Sequence, residues 1–292
     1  MTTIPSRLTD QRLKRTLEGL NNQTYRFDKI YLTLPKFSAR LNTPYPPIPQ
    51  ELLDYCEPVY IEKDYGPITK ILGGLIKESD PNTIIITCDD DIIYPNTLVE
   101  EFLKRHQTSP NSALCFSGLT LGQFPGYISI VLAYDIFRSG WWFNLKVDPV
   151  KGRGVDILFG YGGALYLRKF FPPLWSDIKL NLLQYGQQHH DLFHHDDVML
   201  SAYLSSQNIE RRVFNAPFVV TNQMMNNALS KNDNFNLSFH CAFFRAISQS
   251  KHLFRSWQSV DHLNTVTGGL IYILLIIILA MILYHYWRKS SI

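Results

Sequence analysis

Two hydrophobic rhythms alternate over the first 117 residues. Short β-branched and aliphatic runs are each followed by a stretch whose apolar positions recur three or four residues apart. The first rhythm predicts strands and the second helices. Residues 2–7 (TTIPSR) read as the end of a very short first strand passing into a loop, and residues 8–21 as a helix with Leu8, Leu13, Leu17 and Leu20 on one stripe. Strands are predicted at 30–34, stopped by Pro35, at 59–61, at 83–87 and at 113–116. Helices are predicted at 50–55, at 68–78, and at 96–106 with Asn96 as its N-cap. This alternation points to an α/β fold with a mostly parallel, Rossmann-like central sheet. No GxGxxG motif occurs, which argues against the usual dinucleotide site.

Beyond Gly118 the pattern turns irregular and aromatic, with Tyr127, Tyr134, Trp141, Trp142 and Phe143. Gly160-Tyr161-Gly162-Gly163 allows close backbone approach to a ligand or forms a tight turn. Residues 184–200 (QYGQQHHDLFHHDDVML) run into a helix, and residues 206–265 read as a polar, loop-rich return. From Val266 to Tyr284 no residue is charged, and this run of about 19 residues has bilayer length. Tyr284, Tyr286 and Trp287 supply an interfacial belt and Arg288-Lys289 a charged stop, so 266–287 is predicted to be a single C-terminal transmembrane helix. Residues 247–265 are its linker. The opening residues have neither a basic nor an apolar signal region, which places the preceding domain on the cytosolic side of the membrane by default.

The chain of 292 residues is long enough for a full core. With 28 Lys and Arg against 25 Asp and Glu, its formal charge of +3 is too mild to suggest nucleic acid. Cys56, Cys88, Cys115 and Cys241 are widely spaced, form no CxxC pair, and weakly favour a reducing compartment. Cys88 and Cys115 are expected in the core. Two glycosylation sequons, at Asn22 and Asn236, occur often by chance and decide nothing.

The chemistry concentrates at residues 83–95 (TIIITCDDDIIYP), where an apolar strand, buried on both faces, runs into Asp89-Asp90-Asp91. Alternation along an extended chain sends Asp89 and Asp91 to one side and Asp90 to the other. Carboxylates at the end of a buried strand repel one another and are costly to desolvate. A divalent cation relieves both, and hard oxygen ligands suit Mn²⁺ or Mg²⁺. Ligands of open α/β sheets sit beyond the carboxyl ends of the strands, where these residues fall. The competing reading is a solvated acidic turn.

TTIPSR, the strand ending in DDD, the GG segment and the later HDDV, in that order, resemble the GT-A glycosyltransferases of the family-2-like kind. The chain is similar to a TTIPSR-containing set from large algal viruses and bacteria, over about residues 1–246. The resemblance implies a GT-A domain over 1–246, with a nucleotide-sugar-binding half at 1–117 and an acceptor half at 118–246. It implies a UDP- or GDP-sugar donor held by Mn²⁺ or Mg²⁺ at Asp89 and Asp91, and a glycan, glycoprotein or lipid acceptor. Thr3, Pro5 and Arg7 match the first nucleotide-contacting loop, Asp64 the position after the third strand that contacts the base, and Lys70 a place near the diphosphate. Asp89 and Asp90 are implied at the ribose and donor side, and His240 as a loosely matched third metal ligand. Gly162, Gly163 and Trp142 are implied at the acceptor. Asp197, with Asp196 as the alternative, matches the general base.

Inverting sugar transfer needs a carboxylate to take the acceptor hydroxyl's proton and a positive charge to offset the departing diphosphate. Two acidic clusters far apart in sequence meet that minimum, although an acidic pair at a helix start is often only a favourable cap. His190 and His194, at i, i+4 spacing among His189 and His195, admit a zinc site instead. The alternatives are therefore a metal-dependent phosphohydrolase or nucleotidyltransferase, and a non-catalytic, membrane-tethered glycan-binding protein.

Overall fold

Leu13, Leu17 and Leu20 share one face of helix α1 (Gln11–Asn21), and all three are buried. Each contributes about 1.5–3 kcal/mol by leaving water, so the spacing alone fixes this face against the core. The helix starts later than its apolar stripe suggests. Pro5–Arg7 form a 3-10 turn, and Asp10 caps α1 by accepting the Arg12 amide at 2.9 Å. The computed structural model describes residues 1–119, 150–172, 183–184, 190–218, 220–222 and 246. All of them fall in one of two compact units, and the other unit (120–146 and 255–292) lies outside the described residues. Among the described residues no helix is long and apolar enough to cross a membrane; the predicted span at 266–287 is not among them.

Strands β1 (Tyr31–Pro35), β2 (Phe37–Ser38) and β3 (Thr43–Pro44) lead through α2 (Gln50–Leu53) to β4 (Glu57–Ile61). β1 and β4 pair in parallel. β1 ends at Pro35, which faces Ile61, and the adjacent Lys36 amide donates to the Ile61 carbonyl at 3.0 Å. The short first strand is reduced to one parallel bridge between Thr2 and Thr33.

Next come α3 (Thr69–Lys77), β5 (Ile84–Thr87), β6 (Ile92–Ile93), α4 (Leu98–Thr108), β7 (Ser112–Cys115) and β8 (Gly118–Leu119). Asn96 is not the cap of α4. Thr97 stands there without a side-chain bond, and the Asn96 carbonyl accepts from the Thr24 amide at 2.7 Å. The remaining described elements are β9 (Arg153–Gly154), β10 (Ile157–Leu158), β11 (Ala164–Leu167), α5 (His190–Phe193), α6 (Asp196–Ser206), β12 (Glu210–Val213) and β13 (Thr221–Asn222).

The central sheet has five strands in the order β5-β11-β7-β12-β9. It is mixed, which corrects the expectation of a mostly parallel sheet. β11 runs antiparallel to both β5 and β7, β12 is parallel to β7, and β9 is antiparallel to β12. The fold is therefore α/β around a mixed sheet, with strands from both sides of residue 117 interleaved. β12, drawn from a stretch that reads as polar loop, holds its place by backbone pairing and by burying Val213. Cys56, Cys88 and Cys115 are buried free thiols.

Helix α3 is set by close approach. A Cβ on Gly73 would lie 2.4 Å from Thr33 Oγ1 and 2.9 Å from Tyr31 Cβ, so only glycine lets α3 sit this tightly on β1. The turn before it, Gly66–Ile68, depends on Gly66, whose φ is +72°. A Cβ there would lie 2.3 Å from the Phe193 carbonyl oxygen. Gly66→Ala is expected to lower stability by roughly 2–4 kcal/mol, through backbone strain and overpacking together. A fall in the urea midpoint at unchanged slope checks this.

Candidate active site

The acidic turn after β5 is built by what α1 and the Pro5–Arg7 turn offer it. Thr16, on the buried face of α1, directs its hydroxyl at the carbonyl oxygens of Asp90 (3.2 Å) and Ile92 (3.1 Å). Thr3 Oγ1 donates to Asp90 Oδ2 at 2.5 Å, and Arg7 Nη1 donates to Asp90 Oδ1 at 2.5 Å. Arg7 Nη1 also lies 3.7 Å from Asp91 Oδ2. Tyr45 Oη donates to the Thr3 carbonyl at 2.7 Å and holds the loop from behind. Strict alternation therefore fails past Thr87, where the strand ends: Asp90 and Asp91 share Arg7, and Asp89 faces elsewhere.

Asp89 faces Lys70. The Lys70 ammonium, in the first turn of α3, lies 2.6 Å from Asp89 Oδ1 and 2.9 Å from Asp196 Oδ2. One buried cation thus bridges carboxylates more than a hundred residues apart in sequence. The contact to Asp196 is an ion pair without hydrogen-bond geometry, so Asp196 Oδ2 is buried with no donor. Asp197, beside it at the start of α6, accepts the Gly160 amide at Oδ1 at 3.0 Å. The Asp89 amide in turn donates to Tyr94 Oη at 2.8 Å, and Tyr94 donates to the Tyr161 carbonyl at 3.3 Å. These last two bonds tie the acidic turn to the Gly160–Gly162 turn.

The electrostatics follow from five carboxyl groups meeting two cationic side chains. Burial pushes the Asp90 carboxyl up, although Arg7 and the Thr3 hydroxyl oppose the shift. Burial, then Asp90 and Asp89, push Asp91 up to about 6. Burial and the neighbouring Asp196 raise Asp197 well above the ordinary carboxylate value, against Lys70 and the Gly160 amide. For Lys70, burial opposes the charge, but Asp196, Asp89 and Asp197 outweigh it and hold the ammonium protonated.

The predicted residues thus divide. Thr3, Arg7, Lys70, Asp89, Asp90, Asp91, Asp196 and Asp197 form one connected network, while Pro5 lies in the turn that carries Arg7. Asp64 accepts the Ala39 amide (2.9 Å) and the Gly66 amide (2.8 Å), and so braces the β2–β3 hairpin and the turn before α3. Gly162 and Gly163 are buried beside the Tyr161 carbonyl that receives Tyr94, but it is Gly160 that touches Asp197. His195 is buried at the head of α6. Trp142 and His240 lie outside the described residues, as do Trp141, Tyr127 and His189. The pattern of the sequence did not single out Thr16, Tyr45 or Tyr94. A threonine on the apolar face of α1 was the visible clue to the first, and the tyrosine closing the strand-to-loop run to the last.

An open cleft of about 450 Å³ adjoins the loop, lined by Pro5, Ser6, Leu41, Thr43, Pro44 and Tyr45 among others. Among the described residues no group of three or more His, Cys, Asp and Glu side chains converges as a self-contained metal centre. The donor set still fits a divalent ion completed from outside. Asp89 and Asp91 offer hard oxygens, the carboxylates outnumber the cations, and Asp196 Oδ2 lacks a donor. No protein-family model and no curated protein matches the chain.

Asp91 makes this arrangement measurable. Its folded carboxyl binds a proton more tightly than the unfolded one, whose value is near 3.8. Its contribution to stability is complete below that value and is lost as pH rises through about 6. In metal-free protein, Asp91→Asn is expected to leave stability little changed near pH 4. At pH 8 it should raise stability, by up to roughly 3 kcal/mol. Urea unfolding at both pH values in the presence of a chelator checks this, and a loss at pH 8 would contradict it.

Proposed function

We propose that the chain is a metal-dependent glycosyltransferase of the GT-A kind. In this reading it moves a sugar from a UDP- or GDP-sugar to a glycan, protein or lipid acceptor with inversion, anchored to a membrane by residues 266–287 with its catalytic domain on the cytosolic side. The observation that carries the proposal is the Lys70 bridge. It brings Asp89, in the acidic turn suited to a cation and a diphosphate, beside Asp196 and its neighbour Asp197, suited to proton transfer.

The residues then have separate tasks. Asp196 pairs with Lys70, while burial and the neighbouring Asp196 raise the proton affinity of Asp197. A carboxylate with raised proton affinity is the better general base near neutral pH, and the Gly160 amide fixes its orientation. Asp197 would accept the acceptor hydroxyl's proton as that oxygen attacks the anomeric carbon. When bound, Mn²⁺ or Mg²⁺ supplies neutralisation of the departing nucleoside diphosphate. The Thr3–Arg7 loop and the cleft beside it offer a largely apolar wall to a planar base.

Calorimetric titration of the full chain with UDP and GDP, with and without Mn²⁺, tests the donor half. Metal-dependent binding of one of them, lost in Asp91→Ala, is the expected result. Failure of every nucleoside diphosphate to bind would sink the proposal. Asp197→Asn is expected to retain nucleotide binding while transfer to any accepted saccharide falls by roughly 10²–10⁴-fold.

A further inference from the structure

We infer that Tyr94 is a positioning residue for Asp197, its hydroxyl locking the Gly160–Gly162 turn to the backbone of the acidic turn. The inference rests on the reading above of Asp197 as the general base. Tyr94 follows β6 and is buried in the core. Its chain neighbours hold it in place: Ile92 and Ile93 pair with β13, and the Pro95 carbonyl accepts from Gln23 Nε2 at 3.0 Å. The two bonds at the tip of its ring have a forced direction. An amide can only donate and a carbonyl only accept, so the hydroxyl takes the Asp89 N–H at 2.8 Å and gives its own proton to the Tyr161 carbonyl at 3.3 Å. Burial holds the phenol well above its ordinary titration range, so the proton that makes the second bond stays in place.

Tyr161 is the middle residue of a turn that the Gly163 amide closes on the Gly160 carbonyl at 2.8 Å. The Gly160 amide of the same turn holds Asp197 Oδ1 at 3.0 Å. In so short a turn, a shift of the Tyr161 carbonyl carries the Gly160 amide with it. Asp89 thus reaches the head of α6 by two routes. One is charged and runs through Lys70 to Asp196. The other is neutral and runs from the Asp89 amide through Tyr94 and the turn to Asp197. A buried phenylalanine would fill the same space with no polar atom to satisfy. The hydroxyl joins two loops that each carry a site residue, and a proton acceptor misplaced by about 1 Å loses much of its effect.

The test is a double-mutant cycle on the full chain with Tyr94→Phe and Asp197→Asn, using UDP- and GDP-hexoses as donors and p-nitrophenyl glycosides as acceptors. Tyr94→Phe is expected to leave Mn²⁺-dependent binding of UDP or GDP and the donor KM unchanged, while kcat falls by roughly 10–10²-fold. In the Asp197→Asn background the same change is expected to have no further effect, because the group it would misplace no longer takes a proton. A purely structural Tyr94 would slow both backgrounds by the same factor, and that result overturns the inference, as does an unchanged kcat in Tyr94→Phe. Amide hydrogen exchange reads the positioning without turnover: Gly160 is expected to exchange faster in Tyr94→Phe, and unchanged exchange overturns the inference. Rapid exchange of the Asp89 amide in folded wild-type protein overturns it even where Tyr94→Phe does not fold. Full transfer by Asp197→Asn, or no transfer by wild-type protein, removes the base reading and the inference with it, whereas the other adverse outcomes leave that reading standing.

Discussion

Arg7 and Asp90 meet out of water, and the candidate site is assembled around that meeting. A buried guanidinium–carboxylate pair adds little net stability over an apolar pair, yet losing one partner leaves a charge stranded at a cost of about 3–5 kcal/mol. Such a pair is therefore a strong constraint on position and a weak source of stability. It clamps the Thr3–Arg7 loop to the turn after β5. Thr3 and Thr16 complete the clamp from two further directions, one on the carboxylate and one on the backbone. With Asp90 held, its neighbours have little choice of direction, and Asp89 emerges toward α3 while Asp91 remains beside the guanidinium.

Three consecutive aspartates thus carry three different burdens. Asp90 is spent on architecture, Asp89 on the bridge to Lys70, and Asp91 keeps a carboxyl whose ionisation the fold does not offset. The pair at the head of α6 divides in the same way. Asp196 shares the lysine with Asp89, whereas Asp197 is oriented by a backbone amide and has its proton affinity raised by burial. Adjacent residues of one type become inequivalent because a helix start and a tight turn point consecutive side chains at different neighbours.

Much of this was legible in the residues. The leucine stripe of α1, the apolar run of β5 and the acidic start of α6 are local patterns, and each element formed at its pattern, α1 beginning three residues late and β5 alternating buried and half-buried positions. What escaped was non-local. β11 (ALYL) is too short and uniformly apolar to declare its direction, and β12 (ERRV) is too polar to look like a sheet strand. Both are strands because neighbours distant in sequence supply the pairing. The same holds in the site. Lys70 was expected near a diphosphate from resemblance alone, and its ion pair with Asp196 depends on how α3 and α6 pack. Thr16 and Tyr94 act through backbone atoms of other elements, which no spacing within their own segments encodes.

The antiparallel insertion of β11 between β5 and β7 reaches into how the molecule comes into being. β5 carries the acidic turn, and its sheet partner is β11; Thr87 and Ala164, which face each other, are 77 residues apart. A closure of that span loses chain entropy before any pairing returns it, which slows folding relative to local contacts. During synthesis, residues 1–119 leave the ribosome with β5 still lacking the neighbour that finishes the sheet. Until the segment at 164–167 arrives, an apolar strand edge stays open to other chains, a condition that favours aggregation during folding.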